Sequence, residues 1–570
     1  MPDQQVLRDS YDFIIVGGGS AGSVLANRLS EIKDWNILLL EAGRSEIMPL
    51  NIPLMTPILP FTSYVNVYKS EPSKIACLGI KDNRCELPRG RVLGGCSSVN
   101  YMVYARGDAR DYDGWAKMGN KGWSWKEVLP YFMKSEDLRI NEEWVDPKFH
   151  GKDGYLTVDT PSFKTPLVKA FVDAGKELGY DVRDYNSGNV SAFSYVQSTM
   201  KSGSRMSTNK AFLHPIRYRK NLHVAKEAFV TKILIENKRA VGVEFMKRKK
   251  LFKVKAKREV ILSAGAINSP QILMLSGIGP KEHLQSLGIN VIKDLPVGYN
   301  LMDHPVIGYV IFTVDKSVAL TDSALYDLNT YDKYFANRKG PLTCTGALDG
   351  IAFVDVFHPG NMTSFPNLEI QFISSSPLSF TLMNKVFNLK PEIANVYNSS
   401  KDIHSYMMYM TVTRPKSKGR ISLMNTNPLS EPRIDIGYFK NPEDLEILVK
   451  AVNLAKRISK TKAFAKFKPK LFDKPIPPCA KYGRDTDAYW ACHARHITLT
   501  NYHQCGTCKM GPASDPTAVV DPTLRVYGVK GLRVIDASIM PVITSANTNA
   551  PTIMIAEKGA DIIKEDWMKI

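Results

Sequence analysis

Long apolar runs are missing from this 570-residue chain. None reaches the ~18 apolar residues that a membrane-spanning helix requires, so no membrane span is expected. The most apolar stretch near the N-terminus, residues 13–26, is broken by Gly17, Gly18, Gly19 and Gly22 and makes a poor signal-peptide core. The expectation is either a cytosolic chain or one whose leader has been removed. Internal repeats and low-complexity linkers are missing as well. Acidic residues are scarce against basic ones, 56 against 75, which leaves a net charge of +19. What is present is ordinary for a folded protein: 44% hydrophobic and 23% charged residues exclude wholesale disorder, collagen and coiled coil. The length exceeds what one hydrophobic core supports, so two or more domains are expected.

A positive surplus of this size would suit a nucleic-acid or membrane surface if it were concentrated on one element. The densest runs, residues 247–258 and 456–470, point elsewhere. In the first, Lys253, Val254, Lys255 and Ala256 alternate as on a solvated strand face. In the second, basic residues interleave with Phe464, Phe467 and Leu471, as on an amphipathic surface segment. The expectation is a solvated surface and no nucleic-acid partner.

Eight cysteines fall into two groups. Cys77 and Cys85 flank one short loop and Cys479 and Cys492 another, which suits loop-closing disulfides in an oxidising compartment. Together with sequons at Asn189, Asn361 and Asn398, this favours a secreted glycoprotein. Cys96, Cys344, Cys505 and Cys508 are expected to be reduced. The run Cys492, His493, His496, His503, Cys505 and Cys508 raises a zinc site, and Cys505-Gly-Thr-Cys508 a redox dithiol. Structural zinc sites, however, pair two ligand doublets in a small domain lacking its own core. A working dithiol would open a helix, whereas Lys-Met-Gly-Pro follows Cys508. No metal is expected.

The N-terminus reads strand, glycine-rich turn, helix, strand. Residues 13–16 and 37–40 are continuous apolar runs, as buried parallel strands are. Between them stands Gly17-Gly-Gly19-Ser-Ala-Gly22, followed by an apolar helical face at Val24, Leu25, Ala26 and Leu29. Gly17 suits the tight turn, Gly19 lets a pyrophosphate approach the backbone, and Gly22 lets helix and strand pack closely. The helix N-terminus offers unpaired N–H groups and a positive dipole end to phosphate. Glu41, at the end of the second strand, can accept hydrogen bonds from ribose hydroxyls. A dinucleotide site is the reading.

No compact domain closes after this unit. An irregular stretch, residues 53–88, leads to a second glycine-rich segment. Residues 222–265 are β-rich, with strands expected at 230–235, 241–245, 251–256 and 260–263, as a meander inserted into the nucleotide-binding sheet. Residues 532–536 read as another buried strand and 551–563 as a helix with Pro551 in its first turn.

These segments resemble the glucose–methanol–choline (GMC) flavoprotein oxidoreductases. One signature of that family resembles Gly90-Arg-Val-Leu-Gly-Gly-Cys-Ser-Ser-Val-Asn100 with Tyr104, Gly107 and Asp113. A second resembles Gly265-Ala-Ile-Asn-Ser-Pro-Gln-Ile-Leu-Met-Leu-Ser-Gly-Ile-Gly279. The C-terminal hallmark resembles Tyr502-His503 with Gly506-Thr-Cys-Lys-Met-Gly511, then Asp536-Ala-Ser and Asn547-Thr-Asn-Ala-Pro-Thr552. The matches run in order along nearly the whole chain. Arg106-Gly, Asp111-Tyr-Asp-Gly-Trp115 and the paired loop cysteines look most like the arthropod branch.

The resemblance implies an α/β fold: a Rossmann-type FAD-binding domain built from discontinuous segments (1–160, 220–312 and 495–570). It also implies an α+β substrate-binding domain with an antiparallel sheet (161–219 and 313–494). It implies FAD, with Gly17, Gly19, Ser20, Ala21 and Gly22 at the pyrophosphate, Glu41 at the ribose and Val230 near the adenine. Gly95, Cys96, Asn100 and Val103 would line the flavin side, with Tyr502, Asp536, Ala537 and Thr548 completing the site. Some members attach the flavin through a histidine just before the signature asparagine. Here that position is Val99, so non-covalent FAD is expected.

Oxidising a carbinol requires a base for the hydroxyl proton and an acceptor for the hydride, and flavin is that acceptor. Histidine titrates near neutrality, and His503 matches the family's base position. Its partner position is Asn547, whose amide cannot act as a base but can orient the substrate oxygen. The expected function is oxidation of a primary or secondary alcohol, with oxygen or a quinone as electron acceptor. Gln504 and Cys505 depart from the Pro-Val of many arthropod relatives, which leaves oxygen reactivity open. The alternatives are a hydroxynitrile lyase that binds FAD without net redox, and a flavoprotein that has lost its base. Phe372, Phe380 and Tyr409, in the region expected to line the pocket, hint at apolar or aromatic alcohols. Nothing in the sequence indicates an oligomeric state.

Overall fold

The computed structural model describes residues 1–381, 383–398 and 403–568. Its first sheet is built on the N-terminal pattern. Strand β1 (Ser10–Val16) runs parallel to β2 (Ile37–Leu40), from Phe13 opposite Ile37 to Val16 opposite Leu40, with helix α1 (Ser20–Leu29) between them in sequence. Residues 13–16 and 37–40 are buried throughout, as their unbroken apolar composition requires. Helix α1 buries Val24, Leu25 and Leu29 and packs along the C-terminal helix Asn549–Met568. A Cβ on Gly22 would lie 1.8 Å from the Gly17 carbonyl oxygen, so turn and helix close only on glycine.

In order across the sheet stand Leu222–Ala225, β2, β1, Lys250–Leu262, Arg239–Lys247 and Ala228–Glu236, with Leu532–Val534 also paired to Lys250–Leu262. The sequence suggests a break between strands at 251–256 and 260–263. Instead one 13-residue strand, Lys250–Leu262, spans both. Its first half is the last strand of an antiparallel meander, and its second half runs parallel to β1. The charges that read as a break are satisfied sideways. Glu259 accepts two hydrogen bonds from Arg533, at 2.7 and 2.9 Å, and Arg258 lies 3.5 Å from Asp12. As expected of a solvated strand face, Val254 is buried while Lys253 and Lys255 are exposed.

The second sheet is antiparallel, in the order Lys470–Leu471, Pro305–Thr313, Ser405–Val412, Leu368–Ile373, Leu348–Val354 and Ala192–Tyr195. Helix Pro442–Ser459 turns Leu448, Ala451, Val452 and Ala455 inward and packs on it. A short strand, Thr498–Thr500, adds to Pro305–Thr313 with Thr500 opposite Pro305. That pairing brings residue 304 beside the turn that follows Thr500. The architecture, a largely parallel sheet assembled from distant segments and a second antiparallel sheet, is the one expected.

Disulfides Cys77–Cys85 and Cys479–Cys492 form, and Cys96, Cys344, Cys505 and Cys508 are free, also as expected. Among the described residues, Cys479, Cys492 and His496 are the one His/Cys/acid group close enough to hold a metal, and both its thiols are in the disulfide. No helix among the described residues is long and apolar enough to cross a membrane.

Candidate active site

Both sheets wall a cavity of about 430 Å³, with Val16 and Leu40 from the first and Ile373 and Met407 from the second. Every residue singled out above as a cofactor or catalytic position lines it except Gly22, which lies beneath the turn. One region is a glycine cradle. Gly95, at φ +55°, approaches Gly19 so closely that a Cβ on it would sit 2.6 Å from the Gly19 Cα. No side chain caps the N-terminus of α1, which leaves its first N–H groups without a side-chain acceptor. Beside it, the buried Glu41 carboxylate accepts from the backbone N–H groups of Gly18 (2.8 Å) and Gly43 (2.7 Å). Burial nevertheless pushes its pKa up to about 7. Asp536 is held by Ser269 (2.6 Å) and by the Gly265 and Ser538 N–H groups (2.9 and 2.8 Å).

The other region carries the imidazole. Nε2 of His503 lies 3.3 Å from Nδ2 of Asn547, whose Oδ1 is buried without a partner among the described residues. Nδ1 of His503 lies 2.9 Å from Nδ1 of His304, with the two rings at 89°. The backbone N–H of His503 donates to Asp303 Oδ1 at 2.8 Å. The other oxygen of Asp303 accepts from Tyr438, Thr500 and Gln504, each at 2.5 Å. Arg89 donates to the Tyr502 carbonyl (2.7 Å) and to Gln504 Oε1 (2.8 Å). These two clamps hold a turn in which Tyr502 has φ +62°. Burial drives the His503 pKa well below its ordinary value, and the neighbouring His304 and the Arg89 guanidinium add to the shift.

Leu348, Ile373, Met407 and Tyr409 supply apolar wall. Two of the three aromatics expected there are elsewhere. Phe372 stacks on Phe171 at 4.8 Å in the core, and Phe380 is buried away from the cavity, whose aromatic contribution from this stretch is Phe387 with Tyr409. Cys505 and Cys508 are buried outside the cavity, and burial raises both thiol pKa values, which disfavours the thiolate that dithiol chemistry needs. Sequence reasoning missed Arg89, Asp303 and His304. The signal for the last two was Asp303-His304-Pro305, an ionisable pair set directly before the fully apolar start of the strand Pro305–Thr313.

Residues 11–306 and 415–556 match the two family models described as GMC oxidoreductase. The chain is 41% identical over 566 residues to glucose dehydrogenase [FAD, quinone] of Drosophila pseudoobscura pseudoobscura, covering 98% of this chain and 87% of that one. It is 36% identical to ecdysone oxidase of Bombyx mori, covering 99% and 84%. Among solved structures it resembles pyridoxine 4-oxidase from Mesorbium loti, with a TM-score of 0.82, 28% identity and coverage of 98% and 100%. It also resembles formate oxidase of Aspergillus oryzae RIB40, with a TM-score of 0.85, 26% identity and coverage of 99% and 100%.

Proposed function

The chain belongs to the GMC oxidoreductase family and is an FAD-dependent enzyme that oxidises a CH–OH donor, and from that premise we propose that His503 is its base and Asn547 the donor that orients the substrate oxygen. The 3.3 Å contact between His503 Nε2 and Asn547 Nδ2, inside the cavity that also holds the glycine cradle, is the observation that carries this reading. Burial keeps the imidazole unprotonated across neutral pH, so its lone pair is available when the substrate enters. The amide of Asn547 offers an N–H to the alkoxide that develops as the proton leaves. The lyase alternative gains no support from the relatives named above.

The chain's residues fit the cofactor. The approach of Gly19 and Gly95 and the uncapped start of α1 suit a pyrophosphate, with Ser20 and Ala21 against it, Glu41 at the ribose and Val230 at the adenine. Cys96, Asn100, Val103, Tyr502, Asp536, Ala537 and Thr548 suit the flavin half. When bound, FAD supplies the hydride acceptor. Val99 offers no nucleophile, so attachment is non-covalent.

Segments 1–160, 220–304 and 501–568 are read as the cofactor domain and 161–219 and 305–500 as the substrate domain, the bounds at 312 and 495 moving because Pro305–Thr313 and Thr498–Thr500 belong to the antiparallel sheet. Leu348, Ile373, Met407 and Tyr409 favour an alcohol with an apolar body. A quinone acceptor is favoured by the name of the Drosophila relative. Two disulfides and the exposed sequon asparagines Asn361 and Asn398 favour secretion, although Ser399 and Ser400 of the second sequon lie outside the described residues. The test is anaerobic bleaching of the bound flavin against a panel of alcohols and cyanohydrins, followed by oxygen or a quinone. Bleaching by an alcohol supports this function. Cyanohydrin cleavage with the flavin staying oxidised contradicts it.

A further inference from the structure

His304 has no role in the reading above, yet it is fully buried and makes an edge-on contact with the ring of His503. Its Nε2 lies 3.0 Å from the carbonyl oxygen of Thr413. A carbonyl can only accept, so Nε2 of His304 carries the proton. Burial pushes the His304 pKa down to about 4, against the opposing pull of the Thr413 and Thr544 carbonyls, so at neutral pH the ring carries one proton only. Among the described residues the carbonyl within hydrogen-bond geometry of the ring is that of Thr413, at Nε2, and the partner at Nδ1 is His503, so Nδ1 is the bare acceptor.

The consequence passes to His503. Across the 2.9 Å contact between the two Nδ1 atoms, one must donate and the other accept. With His304 Nδ1 bare, the donor is His503 Nδ1–H. A neutral His503 then has its lone pair on Nε2, the atom that faces Asn547. The opposite assignment would set the lone pair of His304 Nε2 against that of the Thr413 carbonyl, both buried. Neighbouring bonds fix the rest of the geometry. Asp303 Oδ1 accepts from the backbone N–H of both His304 (2.9 Å) and His503 (2.8 Å), which ties the two main chains together.

We propose that His304 is a positioning residue that reads the fixed direction of the Thr413 carbonyl and imposes on His503 the Nδ1–H tautomer, leaving the Nε2 lone pair aimed at the substrate side. This rests on His503 being the base. The logic matches the oriented imidazole of Ser-His-Asp hydrolases, where the partner of the far ring nitrogen sets which nitrogen is free to react.

The test uses the FAD-bound enzyme labelled with ¹⁵N-histidine, with His503 assigned from the signals lost in His503→Ala. The expected spectrum at neutral pH shows His503 protonated on Nδ1 and bare on Nε2. A proton on Nε2 overturns the proposal, whatever the activity. Two variants extend it. His304→Leu fills the space without an acceptor, and anaerobic flavin reduction is expected to slow by about 10–100-fold, the range found for the hydrogen-bond partner that orients a metal-bound histidine. His304→Asn places an amide oxygen near the position of Nδ1 and is expected to recover most of that loss. If His304→Leu, with FAD retained, reduces at the parental rate, His304 only fills space, and if the two variants are impaired equally the acceptor at Nδ1 does not matter; either result overturns the proposal. A parental rate in His503→Ala would instead defeat the assignment of the base itself, so the two failures are distinguishable.

Discussion

The side-chain amide nitrogen of Asn547 lies 3.3 Å from Nε2 of His503, and the two groups differ in what they can do with a substrate hydroxyl. The imidazole can take a proton. The amide can only donate to the oxygen left behind.

Asn547→Ala removes one fixed donor and should slow anaerobic flavin reduction by about 10²-fold or less, since water can partly replace the amide. Asn547→Asp should do more than remove the donor. A carboxylate beside His503 favours imidazolium, so the acid limb of the kcat/KM profile should move to higher pH. Superimposable pH profiles for Asn547→Asp and the parent would contradict this.

The flavin should leave with acid. Val99 stands where a covalent attachment would need a nucleophile, so acid precipitation of the holoenzyme should release the yellow chromophore into the supernatant. Colour in the washed pellet would count against it.

Both disulfides close short loops, with sequence separations of 8 and 13 residues. In the chain-entropy account each stabilises the fold by about 2–3 kcal/mol. Replacing Cys479 and Cys492 with alanine should lower the melting temperature measurably, and reductant should lower the parent's while leaving that variant less affected. Equal sensitivity of both proteins to reductant would contradict this.

Glu369 is buried in the second sheet, with Oε1 accepting from Gln371 at 2.8 Å and Oε2 without a partner among the described residues. Burial pushes its pKa from about 4.5 up to about 7. A carboxyl raised in this way binds its proton more tightly when folded. Its contribution to stability is present below pH 4.5 and lost as pH rises towards 7, by at most about 1.4 kcal/mol per unit. Glu369→Gln removes that titration. Its melting temperature should gain on the parent between pH 5 and pH 7.5, and a constant difference would contradict the assignment.

How much of this was legible depended on how local each cause is. Strand β1, helix α1 and strand β2 could be read because apolar runs and a glycine turn act within 30 or so residues. The single strand Lys250–Leu262 could not, because the partner that neutralises Glu259 is Arg533, 274 positions away. His503 and Asn547 stood out through motif resemblance, but His304 did not, since its contact lies 199 residues along the chain. Phe372 was misplaced for a different reason. The strand Leu368–Ile373 sets Leu368, Ile370 and Phe372 on one face and Glu369, Gln371 and Ile373 on the other, and the partly polar face, through Gln371 and Ile373, borders the cavity while the wholly apolar one packs into the core.

The assignment of His503 as base is tested most directly by His503→Ala with FAD bound, mixed anaerobically with an alcohol that bleaches the parent. The expected result is an intact flavin spectrum with reduction slowed by roughly 10²–10⁴-fold, the usual worth of a positioned base. Reduction at close to the parental rate, with the cofactor retained, would contradict the account.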